Sequence, residues 1–177
     1  MIAAGKSALP PPAVPTAHRT PARMAALAGL CLAALIGLQA CGSVNSTGEG
    51  GGASNAAAGS LNALRSEQGL SALAPDPQLE QAALQQARYM AAAGRMEHTT
   101  GQGKDFAARV KANGIAGAAA ENIAAGRMDT ARVLETWKDS PPHRRNMLDA
   151  RFTRFGLAYV RDGKNPDWRY WAMVLGK

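Results

Sequence analysis

The sequence predicts an α+β domain, and three observations predict it. Helical periodicity with N-terminal caps runs through the middle of the chain. The last quarter switches to a strand-like period. All three tryptophans lie in the last 41 of the 177 residues, where the core should close.

The elements follow in order. Ser60 is placed to cap a helix running to about Gly69, with Leu61, Leu64 and Arg65 following and Gly69 as terminator. Residues 70–73 read as a short extended piece. Asp76-Pro77 opens a second helix, with Asp as the cap and Pro at the first position. Leu79, Ala83, Ala87 and Met90 then recur at helical spacing, with Leu84 and Tyr89 alongside, and Gly94 ends the helix. Asp105 to about Asn113 reads as a third helix, with Phe106, Val110 and Ile115 as its apolar set. Asp129 caps a fourth through about Lys138, whose inner stripe is Val133, Leu134 and Trp137. Ser140 is placed to cap a short fifth turn with Pro141 first and His143 third. Phe155 to Val160 and Trp168 to Leu175 are strand-like. The turn-rich stretch from Arg161 to Asp167 makes them an antiparallel hairpin.

The N-terminal region has a different character. Residues 1–40 contain no Asp or Glu and three basic residues, Lys6, Arg19 and Arg23, followed by an apolar run from Met24 to Ala40. That run is short and rich in Ala and Gly for a membrane-spanning helix, and the pattern reads as a secretory signal. It ends in Leu38-Gln39-Ala40-Cys41, which resembles the lipobox of bacterial lipoproteins, although Gln39 is an uncommon choice there. The expectation is cleavage before Cys41 and lipid on its thiol, giving a membrane-anchored extracytoplasmic protein. Without lipidation, the protein would be secreted. Gly42 after the cysteine favours the outer membrane where the envelope has two membranes. Cys31 lies within the signal, so the mature chain keeps one thiol and has no partner for a disulfide. Residues 41–59, mostly Gly, Ser, Ala and Asn, read as a flexible tether of roughly 20–25 Å reach. The folded domain is then expected over residues 60–177.

The whole chain has 20 basic and 13 acidic residues; removing the three basic residues of the signal leaves 17 against 13, a net charge of +4. This is a mild excess and not a nucleic-acid footprint. The arginines of the second half, from Arg127 to Arg154, read as a solvated face in preference to an anionic-lipid contact.

The candidate chemistry lies in two histidines. His18 falls in the signal, which leaves Met96-Glu97-His98-Thr99-Thr100 and Ser140-Pro141-Pro142-His143-Arg144-Arg145-Asn146, with Ala120-Glu121-Asn122-Ile123 between them. Neutral imidazoles suit Zn²⁺, which usually takes three protein ligands in catalytic sites; two alone would hold it weakly. Glu121 could be a third ligand, could orient an imidazole or could polarise a bound water. The plainer alternative for each residue is a local backbone contact: His143 and Glu121 to amides, His98 to a helix carbonyl end. Neither a nucleophile-elbow pattern nor His-Glu-x-x-His is present.

Taken together, these motifs are similar to those of the CAP superfamily, which comprises cysteine-rich secretory proteins, antigen 5 and pathogenesis-related proteins. The resemblance runs over about residues 60–177, from Leu61-Asn62-Ala63-Leu64-Arg65 through Glu97-His98, Glu121-Asn122-Ile123, Trp137, the Ser140 to Leu148 segment and Phe155-Gly156 to the Trp171 strand. It is with the compact bacterial branch. It implies an α-β-α sandwich with a small antiparallel sheet between helical layers. It also implies an open cleft to which His98, Glu121 and His143 contribute. The family's second acid often follows Trp-x-x, where this chain has Ser140. Glu135 is a poor substitute, about 140° round a helix from that position, and Asp139 belongs to a turn. The cleft is therefore expected to hold three residues and a hydroxyl, with His98 and His143 as candidate ligands for Zn²⁺ or another divalent cation.

Three functions compete. A surface-tethered binding or scaffolding module, taking a cation, a small polar ligand or an envelope component, is favoured by the missing acid. A peptidase-like hydrolase would use a metal-bound or Glu121-activated water and requires Glu121 to reach both imidazoles. Apolar-ligand binding, known among eukaryotic relatives, depends on loops for which the short Trp137 to His143 stretch has no room.

Overall fold

The computed structural model describes residues 48–177. The expected signal peptide, Cys41 and the first part of the expected tether lie outside the described residues. Five helices and five strands follow in the order β1 (Gly50–Gly52), α1 (Ser54–Ser66), β2 (Ala74–Pro75), α2 (Pro77–Ala93), α3 (Phe106–Ala112), β3 (Ala119–Gly126), α4 (Thr130–Asp139), α5 (Pro141–Met147), β4 (Arg154–Arg161) and β5 (Arg169–Gly176). None of these helices is long and apolar enough to cross a membrane.

The sheet runs β1-β4-β5-β3, with β2 pairing in parallel with β4 and every other pair antiparallel. Side chains alternate between its faces, and each face has its own core. Phe155, Leu157, Trp171, Met173 and Leu175 pack with Leu61 of α1, Val133, Leu134 and Trp137 of α4, and Met147 of α5. Ala158, Tyr170, Ala172 and Val174 pack with Leu79, Ala82, Ala83 and Met90 of α2. The result is the expected α-β-α sandwich, with α1, α4 and α5 on one face and α2 and α3 on the other.

The small residues of α2 and Gly156 set how closely that helix approaches. A Cβ on Gly156 would lie 1.9 Å from the backbone nitrogen of Glu80 and 2.1 Å from the carbonyl carbon of Leu79. No side chain fits there, which gives a physical reason for glycine in the Phe155-Gly156 pair.

Asp76, Asp105 and Asp129 cap α2, α3 and α4 through their side chains, accepting from Leu79, Ala108 and Arg132. Gly94 ends α2 in the left-handed conformation at φ 64°. The hairpin of β4 and β5 pairs from Arg154 opposite Gly176 to Arg161 opposite Arg169. Trp137 and Trp171 are buried, whereas Trp168 is exposed on the hairpin.

One expectation is corrected, and one element is new. The first helix begins at Ser54, and Ser60 is an exposed residue within it. Residues 50–59 are therefore part of the domain and not of a tether. Gly50–Gly52 pairs with β4 through backbone groups, and its glycines admit close neighbours: a Cβ at Gly50 would meet the Tyr159 carbonyl at 2.6 Å. Ser54 is buried, donates to the Glu80 carboxylate from both its backbone amide and its hydroxyl, and accepts from the Leu157 amide at 2.9 Å. Low hydropathy in this stretch reflects tight backbone packing. Strand β3 was not anticipated from the sequence. Its Ala-rich sequence has Ile123 as its one β-branched residue, and strand propensity alone gives no signal there.

Candidate functional site

The candidate residues gather around β3, which is the edge strand beside β5. Residues 121 and 122 point to opposite faces, as successive strand residues must. Glu121 turns toward the α2/α3 side and Asn122 toward α5.

On the first side, Glu121 is almost wholly buried, with 2% of its side chain exposed. Arg109 of α3 lies against it and is equally buried. One terminal guanidinium nitrogen, Nη2, donates to both carboxylate oxygens, at 2.7 Å and 2.6 Å. The other, Nη1, donates to the carbonyls of His98 and Lys104, at 3.0 Å and 2.5 Å. Oε1 of Glu121 also lies 2.8 Å from His98 Nδ1. A carboxylate can only accept, so Nδ1 carries a proton, and in the neutral ring the lone pair is then on Nε2. Gln86 of α2 donates to the Glu97 carbonyl at 2.6 Å. The loop bearing His98 is thus held at two successive carbonyls while its imidazole remains half exposed to solvent.

On the second side, the caps do not take the expected form. Ser140 occupies the N-cap position of α5, but its hydroxyl makes no capping bond. It lies instead 2.8 Å from His143 Nδ1. His143 is partly buried, 6.4 Å centroid to centroid from the tilted Trp137 ring. Its backbone carbonyl accepts from Asn122 Nδ2 at 3.1 Å, and Asn146 donates to Asn122 Oδ1 at 2.8 Å. Trp137 Nε1 donates to the Ile123 carbonyl at 3.1 Å, and Asn146 lies 3.4 Å from the Glu121 carbonyl. Side chains of α4 and α5 thereby satisfy outward-facing carbonyls of the edge strand, which would otherwise be open to pairing.

The two halves meet electrostatically around this edge. Burial, and secondarily the charge of His98, push the His143 imidazole below its ordinary value. No hydrogen bond joins Glu121 to His143 among the described residues. Asp139 and Glu135 do not replace the missing acid: both are exposed, and Glu135 pairs with Arg132 at 3.1 Å.

The donor set can be weighed for a cation. Each imidazole has Nδ1 engaged by an oxygen, the arrangement that orients metal-binding histidines. Neither Nε2 has a hydrogen-bond partner among the described residues. Both Glu121 oxygens are already used by Arg109, which argues against its serving as the third ligand. Among the described residues, no three His, Cys, Asp or Glu side chains group as a metal site. The donors on hand for a cation are therefore two imidazole nitrogens, with no third protein ligand among the described residues.

Sequence reasoning missed Arg109, Asn122 and Asn146. A signal for Arg109 was present: it stands three residues after Phe106 and beside Val110, on the apolar side of α3. A charge in that position implies a buried partner.

His98 meets Glu121 of the edge strand β3, and His143 lies on α5 beside the same strand of an α-β-α sandwich. Residues 59–175 match the CAP, cysteine-rich secretory protein family, and the chain belongs to it. The uncharacterized protein YkwD of Bacillus subtilis is 35% identical over 106 residues, covering 58% of this chain and 40% of that protein. The chain thus spans well under half the length of that curated relative. Among solved structures, an extracellular SCP-domain protein of Bacillus anthracis matches with a TM-score of 0.60 at 23% identity, over 70% of this chain and 39% of that one. An outer surface protein of Borrelia burgdorferi matches with a TM-score of 0.61 at 20% identity, over 73% of this chain and 98% of that one. At these identities, the likeness is one of fold.

Proposed function

We propose that the protein is a lipid-anchored, extracytoplasmic CAP-domain binding module, whose His98–Glu121–His143 cleft holds a divalent cation weakly or a small polar ligand. The observation carrying this reading is the engagement of Glu121. Its carboxylate is buried against Arg109 and serves to orient His98. A hydrolytic base must instead be free to take a proton from water and must lie within reach of the reacting atoms. Two imidazole Nε2 atoms and the Ser140 hydroxyl then suit reversible binding better than turnover. Hydrolysis is the second reading, and it weakens because Glu121 bonds one imidazole and not the other.

The anchoring part rests on the acid-free N-terminal segment and on Leu38-Gln39-Ala40-Cys41. The extracellular and outer-surface descriptions of the two solved proteins are in line with it. The partners are then the envelope membrane, through Cys41, and an envelope ligand in the cleft.

Cell fractionation with Cys41→Ser tests the anchor. Release of the protein from membranes, with loss of metabolically incorporated lipid, is expected. Unchanged membrane association with an intact N-terminus would contradict it. For the cleft, ¹⁵N spectra of the histidines should show His98 protonated at Nδ1 and both Nε2 resonances responding to added zinc. A fixed Nε2–H tautomer of His98 would remove the donor set.

A further inference from the structure

We propose that the groove between the end of α4 and the outer face of α5 is a second site, taking a phosphate group esterified to a small polyol. It lies outside the imidazole cleft, and its evidence is independent of that reading.

The helix α5 divides its side chains cleanly. Asn146 and Met147 face β3 and the core, and the His143 ring lies beside Trp137 and Ser140. Pro141, Arg144, Arg145 and Leu148 recur at the spacing of one helix face and line a concavity of about 790 Å³ with Lys138, Asp139 and Asp149. That volume suits a small organic ligand and exceeds what a bare ion needs.

The charge in the groove is unbalanced. Lys138, Arg144 and Arg145 are exposed and make no ion pair among the described residues. Some arginines elsewhere are ion-paired, Arg109 with Glu121, Arg132 with Glu135 and Arg154 with Asp76; Arg88 and Arg127 are exposed without an ion pair among the described residues, but neither lines this concavity. Of the two carboxylates in the groove, Asp149 is already held by Arg151, at 2.6 Å through Nη2. Asp139 alone opposes the three cations. Two guanidinium side chains lining one concavity offer planar donors that match phosphate oxygens, and the lysine adds a point charge. Pro141 and Leu148 supply an apolar wall against which the carbon frame of a polyol can lie. The same chemistry is carried by a free polyol phosphate and by the glycerophosphate headgroup of an anionic lipid.

Equilibrium dialysis of the full-length chain in non-ionic detergent against labelled glycerol 3-phosphate, at low ionic strength, tests the site. Saturable binding is expected. Arg144→Gln with Arg145→Gln should weaken it by about tenfold or more, the scale of losing charge-assisted hydrogen bonds. Asp139→Asn should strengthen it by removing the opposing charge. Lys111→Gln with Lys164→Gln removes the same net charge from other surfaces and should leave the affinity within about twofold, since distant exposed charges are screened. Displacement by monomeric dihexanoyl phosphatidylglycerol would identify the lipid headgroup as a source, and its failure to displace would leave the soluble ester; both outcomes support the site. Absence of saturable binding, or an equal loss in the two double variants, would overturn it. All these substitutions are on exposed side chains, and matching thermal melts would confirm that the fold is retained.

Discussion

Arg109 and Glu121 form a buried ion pair in which one guanidinium nitrogen bridges both carboxylate oxygens, at 2.7 Å and 2.6 Å. The same arginine holds the His98 carbonyl, and the same carboxylate holds the His98 ring. Breaking the pair on one side should therefore be severe. Arg109→Met should lower stability by about 3–5 kcal/mol, because it leaves the Glu121 charge buried without compensation. Arg109→Met with Glu121→Met should recover much of that loss, since an apolar pair replaces an ion pair. Urea denaturation of both variants measures the difference, and a double variant less stable than the single would contradict the assignment.

Gly156 tests the contact between α2 and the sheet. Gly156→Ala pushes a methyl group into the backbone of Leu79 and Glu80. Loss of about 1–3 kcal/mol or more is expected from overpacking. Gly51 has open space at its Cβ position and serves as the comparison. An unchanged denaturation midpoint for Gly156→Ala would show that the helix stands further off.

The two buried tryptophans should respond differently to conservative change. Trp137 Nε1 donates to the Ile123 carbonyl, whereas Trp171 Nε1 is buried with no partner among the described residues. Trp137→Phe loses that bond and leaves a carbonyl unpaired, a penalty of about 1–3 kcal/mol absent from Trp171→Phe. Alanine at either position should remove roughly 3–5 kcal/mol. Equal losses for the two phenylalanine variants would contradict the hydrogen-bond assignment.

Stability should fall in mildly acidic solution, in part through His143. Burial, then the charge of His98, lowers its folded pKa below the ordinary value of 6.5. As the pH drops, the unfolded chain takes up the proton before the folded one. The resulting stabilisation is fully present above about 6.5 and is lost as the pH falls through the lower folded value. His143→Gln should then lose less stability between neutral and mildly acidic pH than the unaltered chain. Equal losses in urea midpoints would exclude this contribution.

Where side chains carry the signal, the sequence was legible. The Asp76, Asp105 and Asp129 caps, Gly94 and the alternating hairpin each predict the element they build. Three features were hidden for physical reasons. The first turn of α1 and strand β1 are made of Gly, Ala and Ser, whose contribution is close backbone approach and not apolar bulk. Strand β3 is built from alanines whose burial comes from tertiary position. The partner of Glu121 lies on another helix, and spacing along the chain says nothing of it. The motifs singled out His98, Glu121, His143 and Ser140, which the structure joins as the pairs His98–Glu121 and His143–Ser140, but the hold of Arg109 on the carboxylate was not readable. Under the proposed reading, that hold favours binding over hydrolysis.

The N-terminal boundary gives a further expectation. A chain beginning at Ser60 lacks β1, the Ser54 bonds to Glu80 and Leu157, and buried Ala53 and Ala57. It should melt well below a chain beginning at residue 48. Identical melting would restore this stretch to the tether.

Zinc titration calorimetry of residues 48–177, a segment free of cysteine, tests the cleft most directly. One weak, exchangeable zinc per chain is expected at neutral pH, weakening as the solution is acidified because protonated imidazole cannot ligate. His98→Ala and His143→Ala should each abolish it, while Ser140→Ala should weaken it less. Absence of zinc binding, or binding that survives the loss of either histidine, would contradict a shared cation site.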